Sequence, residues 1–145
     1  MAESGKISRG HFIAWTFALA GLATRNSVKA AMKEVQGGSL VVNIDEYNEL
    51  KEDGGFKILK NVTIGEITDS IIIVRKMEKE FLVFSSVCRH KKCNVKFKID
   101  RDIFVCPCHD SAYDINGKVI KGPSKGDIPA YRVDLTDNQL AISTL

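Results

Sequence analysis

The fold of this chain is decided by two short stretches, Cys88-Arg-His90-Lys-Lys-Cys93 and Cys106-Pro-Cys108-His109-Asp-Ser111. All four cysteines and two of the three histidines of the 145-residue chain lie in them. Cysteines used only as core filler would be scattered, so this clustering indicates a metal site, a disulfide, or both.

Each stretch follows a predicted strand and offers a cysteine and a histidine at short spacing. Thiolate suits iron and zinc, and imidazole is a neutral nitrogen ligand. A structural zinc site is one alternative, but such sites usually pair cysteine with cysteine and histidine with histidine. A plain two-disulfide domain is another, and it leaves both histidines without a role.

Outward from these stretches, residues 39–145 alternate between short apolar runs and turns. The strongest hairpin joins Ser70–Arg75 to Glu80–Ser85, and Asn116-Gly117 is a strong turn signal. Many closely spaced short strands predict an all-β fold, a small antiparallel sandwich or barrel. The other expected elements are strands Leu40–Ile44, Phe56–Lys60, Val62–Ile67, Val95–Ile99, Asp102–Val105, Tyr113–Ile115, Lys118–Ile120, Tyr131–Leu135 and Gln139–Ser143, and a polar helical turn within Asp45–Asp53.

The N-terminal region differs in charge from the rest of the chain. Residues 1–30 carry four basic side chains and one acidic one, whereas the remainder holds 17 of each. Phe12–Ala23 is a 12-residue apolar run, short for a bilayer core about 30 Å thick but right for a signal-peptide core. We therefore expect residues 1–30 to be a signal or anchor with a short apolar helix, cleaved or retained; a docking helix is the alternative. Residues 31–38 are then a hinge linker and 39–145 the folded domain, and a net charge of only +3 does not support nucleic-acid binding.

The two cysteine–histidine stretches resemble the Rieske iron–sulfur family, whose pattern is C-x-H-x-x-C followed, a dozen or more residues later, by C-x-C-H-x-S. Six metal-type residues in order, with both internal spacings right, make the resemblance specific. Gly122-Pro123 looks like the family's proline-containing loop over the cluster. The resemblance implies a [2Fe–2S] cofactor and a Rieske-type antiparallel β domain with a small cluster-binding subdomain, its loops within about residues 86–125.

By this resemblance, Cys88 and Cys106 bind one iron, and His90 and His109 bind the other. Two imidazoles in place of two thiolates remove negative charge, so the reduction potential rises to roughly −150 to +300 mV, against about −400 mV for plant-type clusters. Imidazole bound to ferric iron releases its outer proton more readily than free imidazole. His109 and His90 are therefore expected to couple proton to electron transfer, with His109 on the quinol side.

The same resemblance implies further roles around the cluster. Cys93 and Cys108 form a disulfide between the two stretches, which is typical of the high-potential respiratory branch and fits export to an oxidising compartment. Ser111 is expected to donate a hydrogen bond to a bridging sulfide, and Tyr113 to the Cys88 sulfur. Such bonds stabilise the reduced state and place the potential in the upper part of the range.

This chain departs from the family pattern at two places. Quinol-oxidising members often read C-T-H-L-G-C, whereas Lys91 and Lys92 replace the Leu-Gly pair here. Residues 88–101 carry a net charge of +5, so a basic rim is expected to attract an acidic partner; an ordinary solvated loop is the alternative. Asp110 stands where the family usually has glycine, and aspartate tolerates a left-handed backbone better than most residues.

The resemblance implies one-electron transfer by the iron–sulfur subunit of a quinol-oxidising cytochrome bc-type complex, respiratory or photosynthetic. Its partners would be a membrane cytochrome b-type subunit, a cytochrome c-type acceptor and quinol. The chain would lie on the outer, periplasmic face of the cytoplasmic membrane, anchored by its N-terminus. The alternatives are the small subunit of a larger oxidoreductase such as arsenite oxidase, and a free exported carrier. In each case we expect an electron-transfer protein, most simply a subunit of an oxidoreductase, rather than a complete enzyme by itself.

Overall fold

The computed structural model describes residues 35–36 and 38–145. The predicted signal or anchor segment 1–30, with its apolar helix, lies outside the described residues, as does most of the predicted hinge 31–38. Two hinge residues, Val35–Gln36, form a short strand paired with Leu40 and Ser39. Within the described part, no helix is long and apolar enough to cross a membrane.

The described residues form eleven strands and two short 3₁₀ helices, which confirms the predicted all-β class. The 3₁₀ helices, Ile44–Glu46 and Asn48–Leu50, account for the polar helical turn expected in this region. The strands are β1 Val35–Gln36, β2 Ser39–Asn43, β3 Phe56–Ile64, β4 Ile67–Met77, β5 Glu80–Ser85, β6 Lys96–Lys98, β7 Ile103–Val105, β8 Ala112–Tyr113, β9 Val119–Lys121, β10 Ala130–Thr136 and β11 Gln139–Ser143.

Seven strands form one antiparallel sheet in the order β1-β2-β11-β10-β5-β4-β3. The predicted hairpin β4–β5 is present, and the expected strands β10 and β11 also pair as a hairpin. Successive side chains of a strand point to opposite faces, so Ile71 and Ile73 of β4 pack into one core and Ile72 and Val74 into another. All four are fully buried, which explains the continuous apolar run in the centre of this strand.

The other four strands form a small antiparallel sheet in the order β6-β7-β8-β9. Its inner face packs on the larger sheet through aromatic rings. The Phe104 ring centroid lies 5.1 Å from that of Phe84 in β5 and 5.3 Å from that of Phe97. Cys88 and Cys106 belong to the same buried cluster, so the cysteine-bearing loops are anchored in the core shared by the two sheets.

The expectation of a separate strand over Val62–Ile67 is wrong. Strand β3 continues through Phe56–Ile64, with a shift of register between Leu59 and Val62, and β4 already begins at Ile67. The turn between the two strands lies inside the expected strand, because Gly65 adopts a φ of +60° that reverses the chain.

The Asn116-Gly117 turn is confirmed between β8 and β9. The Asp114 side chain accepts hydrogen bonds of 2.9 Å from the backbone N–H groups of Asn116 and Lys118. These bonds start the turn at Asp114, so the expected strand Tyr113–Ile115 is wrong beyond its first residue.

We expect Gly117→Ala to lower the free energy of unfolding by at least about 2 kcal/mol. Gly117 has a φ of +79°, and an added Cβ would lie 2.7 Å from the Ile128 carbonyl oxygen and 2.8 Å from the Phe84 ring. Gly65→Ala is the matched control, because its φ is +60° but its nearest neighbour is 3.5 Å away. Denaturant unfolding should show a clearly larger loss for Gly117→Ala, and equal losses would contradict the steric argument.

Candidate metal centre

Two loops carry the cysteines and histidines, and their backbones close in the same way. In the first loop, residues 88–93, the Cys88 N–H donates to the Cys93 carbonyl (2.8 Å) and the Lys92 N–H to the Cys88 carbonyl (3.1 Å). In the second loop, residues 106–111, the Cys106 N–H donates to the Ser111 carbonyl (2.8 Å) and the Asp110 N–H to the Cys106 carbonyl (3.0 Å). Each loop is therefore the same six-residue turn, beginning with a buried cysteine.

The fifth residue of each turn has a left-handed backbone, with φ of +62° at Lys92 and +57° at Asp110. Asp110 therefore has the left-handed backbone that aspartate tolerates better than most residues. Lys92 has no such advantage, because a long side chain gains no local hydrogen bond in this region. The strain at Lys92 was not predicted from the sequence. The available signal was that Lys92 stands where quinol-oxidising members often have the glycine of the Leu-Gly pair.

A disulfide joins the two loops, as predicted. Cys93 and Cys108 are bonded, with their Cα atoms 6.5 Å apart. The Cys106 sulfur lies within 4.8 Å of both disulfide sulfurs. Because the disulfide sulfurs are bonded to each other, the free thiols of the described residues are those of Cys88 and Cys106.

The two free thiols are buried, and each influences the ionisation of the other. Burial raises the pKa of the Cys88 thiol, but hydrogen-bond donors outweigh burial and leave that pKa below its ordinary value. The groups that would stabilise an ionised Cys88 thiolate by hydrogen bonding are the Tyr113 hydroxyl, the His90 backbone N–H, the Cys106 thiol and the Ser111 hydroxyl.

The Cys106 thiol has the opposite shift. Burial raises its pKa, the backbone N–H groups of Cys108 and His109 oppose the rise, and the charge of an ionised Cys88 adds to it. The surroundings therefore favour one thiolate and disfavour the second. A bound cation would remove that penalty, since a metal binds cysteine as the thiolate.

Two imidazoles complete the donor set. The His90 and His109 ring centroids are 4.8 Å apart with the planes at 82°, and His109 is exposed. His90 Nδ1 is buried without a hydrogen-bond partner, a situation unique among the side chains that the structure describes. A buried polar atom without a partner costs about 1–3 kcal/mol, so this nitrogen is suited to a metal. Two thiolates and two imidazoles fit a [2Fe–2S] cluster with mixed ligands.

Polar side chains surround the sulfur side of the site. Tyr113 Oη lies 3.2 Å from Cys88 Sγ, and Ser111 Oγ accepts a 2.9 Å hydrogen bond from the Ser124 N–H. The proline loop, residues 122–127, contains the cis peptide Gly122–Pro123, and its Asp127 carbonyl accepts from Arg89 Nε (3.2 Å). The proline loop is thus tied to both cysteine-bearing loops. The part that Ser124 plays in this site was not predicted from the sequence. Its only signal was its place directly after Gly122-Pro123.

Comparison with known proteins agrees with this chemistry. A family model, the Rieske [2Fe-2S] domain, matches residues 40–132. Because the match covers more than half of the chain, the chain belongs to the Rieske family. The predicted [2Fe–2S] cofactor is thereby confirmed.

Similar curated proteins include cytochrome b6-f complex iron-sulfur subunits of Prochlorococcus marinus. The subunit of strain MIT 9211 is 34% identical over 59 residues, which are 41% of this chain and 33% of that protein. The subunit of strain AS9601 is 36% identical over 58 residues, 40% and 33% of the two chains. The match thus spans about a third of the length of these relatives.

Solved structures share the fold. The ferredoxin of carbazole 1,9a-dioxygenase from Nocardioides aromaticivorans IC177 has a TM-score of 0.57 at 18% identity, covering 72% of this chain and 95% of that chain. The apo form of the quaternary ammonium Rieske monooxygenase CntA has a TM-score of 0.55 at 14% identity, covering 74% and 33%. At these identities the likeness concerns the fold alone.

We expect Lys92→Gly to raise the free energy of unfolding by roughly 0.5–1 kcal/mol, because glycine removes the left-handed strain at some entropic cost. Lys91→Gly is the matched control: it removes the same charge one residue earlier, at a position without a positive φ. Denaturant unfolding of both variants checks this. A Lys92→Gly variant no more stable than Lys91→Gly would contradict the strain argument.

Proposed function

We propose that this chain passes single electrons through its [2Fe–2S] cluster as the iron–sulfur subunit of a quinol-oxidising cytochrome bc-type complex. One observation carries the proposal. Each of two disulfide-linked loops carries a buried free thiol and an imidazole, and one imidazole has a buried nitrogen lacking a partner. The cytochrome b6-f relatives indicate the kind of complex.

In this proposal Cys88 and Cys106 bind one iron, and His90, through Nδ1, and His109 bind the other. The bound cluster supplies a one-electron couple whose potential is high because imidazole replaces thiolate. Both cysteines are buried and His109 is exposed, so electrons pass to and from partners on the His109 side. An exposed imidazole there is able to hydrogen-bond a quinol, so we assign the coupling of proton to electron transfer to His109, with His90 beside it.

The surface next to the cluster favours an acidic partner. Lys91, Lys92, Lys96 and Lys98 are exposed, and none of them forms an ion pair with another residue of the described ranges. Unpaired cations at the rim of a redox site attract an anionic surface and speed association. We therefore propose an acidic face on the cytochrome c-type acceptor, with a membrane cytochrome b-type subunit as the second partner.

The proposed location is the outer face of the cytoplasmic membrane, with the N-terminal segment as anchor. The Cys93–Cys108 disulfide supports this location, because disulfides persist in oxidising compartments. A second candidate function is electron transfer as the small subunit of a larger oxidoreductase or as a free exported carrier. Lys91 and Lys92 favour it, because two exposed cations disfavour docking on an apolar quinol site.

Purification of the tagged full-length chain from its native membranes tests the proposed complex. We expect b-type and c-type haem to co-purify with the tagged chain, and a control preparation from untagged membranes to contain neither. Co-purification with a large molybdenum-containing chain, or recovery as a soluble monomer, would instead support the second candidate.

The basic rim predicts how fast the reduced protein reacts with charged oxidants. We expect Lys91→Glu with Lys92→Glu to slow oxidation by the anion ferricyanide by about tenfold at low salt. Lys60→Glu with Lys79→Glu is the control, because it makes the same change of net charge on exposed residues of the larger sheet and its β4–β5 turn. Stopped-flow rates at two salt concentrations check this, and equal slowing by both pairs would contradict a local effect.

A further inference from the structure

The Tyr113 hydroxyl has one proton to donate and lies within hydrogen-bonding distance of more than one acceptor. Its oxygen accepts a 3.2 Å hydrogen bond from the Arg89 backbone N–H. Two further neighbours remain, Cys88 Sγ at 3.2 Å and Ser124 Oγ at 2.8 Å. A single hydroxyl proton can be donated well to only one acceptor, so these two atoms compete for it.

In the structure the Tyr113 proton goes to Ser124. The Ser124 hydroxyl in turn donates to the Gly126 carbonyl at 3.2 Å, which leaves its oxygen free to accept from Tyr113 at 2.8 Å. Tyr113 is 0% exposed and Ser124 5% exposed, so water is poorly placed to replace either partner. The chain of hydrogen bonds from Tyr113 through Ser124 to Gly126 therefore draws the proton away from Cys88.

We propose that Ser124 is a positioning residue that competes with the Cys88 sulfur for the Tyr113 proton and thereby lowers the reduction potential of the cluster. The inference rests on the proposed function, in which Cys88 is a cluster ligand. Reduction adds negative charge to the ligand sulfur, so a hydrogen bond donated to it favours the reduced state. The more strongly the Tyr113 hydroxyl donates to Ser124, the weaker its hydrogen bond to Cys88 becomes. The reduced state is then stabilised less.

The side chain and the backbone of Ser124 make different hydrogen bonds. The Ser124 N–H donates to Ser111 Oγ at 2.9 Å, and any residue except proline retains this bond. Ser124→Ala therefore removes the competing acceptor while keeping the link between the proline loop and the second loop. Ser124→Thr retains a hydroxyl and is the conservative control.

Redox titration of the cluster-loaded full chain, followed by visible circular dichroism, tests the inference. We expect Ser124→Ala to raise the midpoint potential and Ser124→Thr to stay near the wild type. In a Tyr113→Phe background, which lacks the proton, Ser124→Ala should produce no shift. Ser124→Gly, which also removes the hydroxyl, replaces Ser124→Ala if that variant does not take up iron.

The inference is overturned if removing the hydroxyl leaves the potential unchanged or lowers it. It is also overturned if the same rise occurs in the Tyr113→Phe background, since the effect would then bypass Tyr113. A wild-type chain that holds no two-iron cluster would instead defeat the proposed ligand assignment. Iron analysis of the wild type before titration keeps the two failures distinct.

Discussion

The covalent bond between Cys93 and Cys108 is the constraint on which the rest of the site depends. The first loop extends from the larger sheet, the second leaves the small sheet, and each carries half of the donor set. The cysteines are 15 residues apart in sequence, and closing a loop of that size is worth about 3 kcal/mol in the chain-entropy model. Because this link is independent of any metal, the two loops that carry the cysteines and histidines are held together before a cluster binds.

Backbone geometry supplies the second part of this preorganisation. The same six-residue turn occurs in both loops, and in each it buries the first cysteine at the edge of the shared aromatic core. The surroundings then stabilise negative charge on Cys88 and disfavour it on Cys106. In the proposed ligand assignment a cluster would resolve that conflict, because both sulfurs would be held as thiolates and the buried His90 nitrogen would gain a partner.

The sequence predicted the chemistry of the site better than it predicted the local backbone geometry. The Rieske-like spacing of the cysteines and histidines indicated the [2Fe–2S] cofactor, and Asn116-Gly117 indicated its turn, because both signals lie in a few adjacent residues. The contact between Ser124 and Tyr113 joins residues eleven apart across two loops, so only the folded chain reveals it. The left-handed Lys92 was missed because lysine has no preference for that conformation. The turn at Gly65 was missed because Ile64 and Ile67 on either side of it extend the apolar pattern typical of a strand.

We propose that two sulfurs and two imidazole nitrogens of this chain hold one pair of irons. Electron–nuclear double resonance of the reduced full chain, grown with ¹⁵N-labelled histidine, tests it most directly. We expect two directly bound histidine nitrogens, with one lost in His90→Gln and the other in His109→Gln. A reduced cluster without coupling to histidine nitrogen, or a single zinc ion in place of two irons, would contradict it.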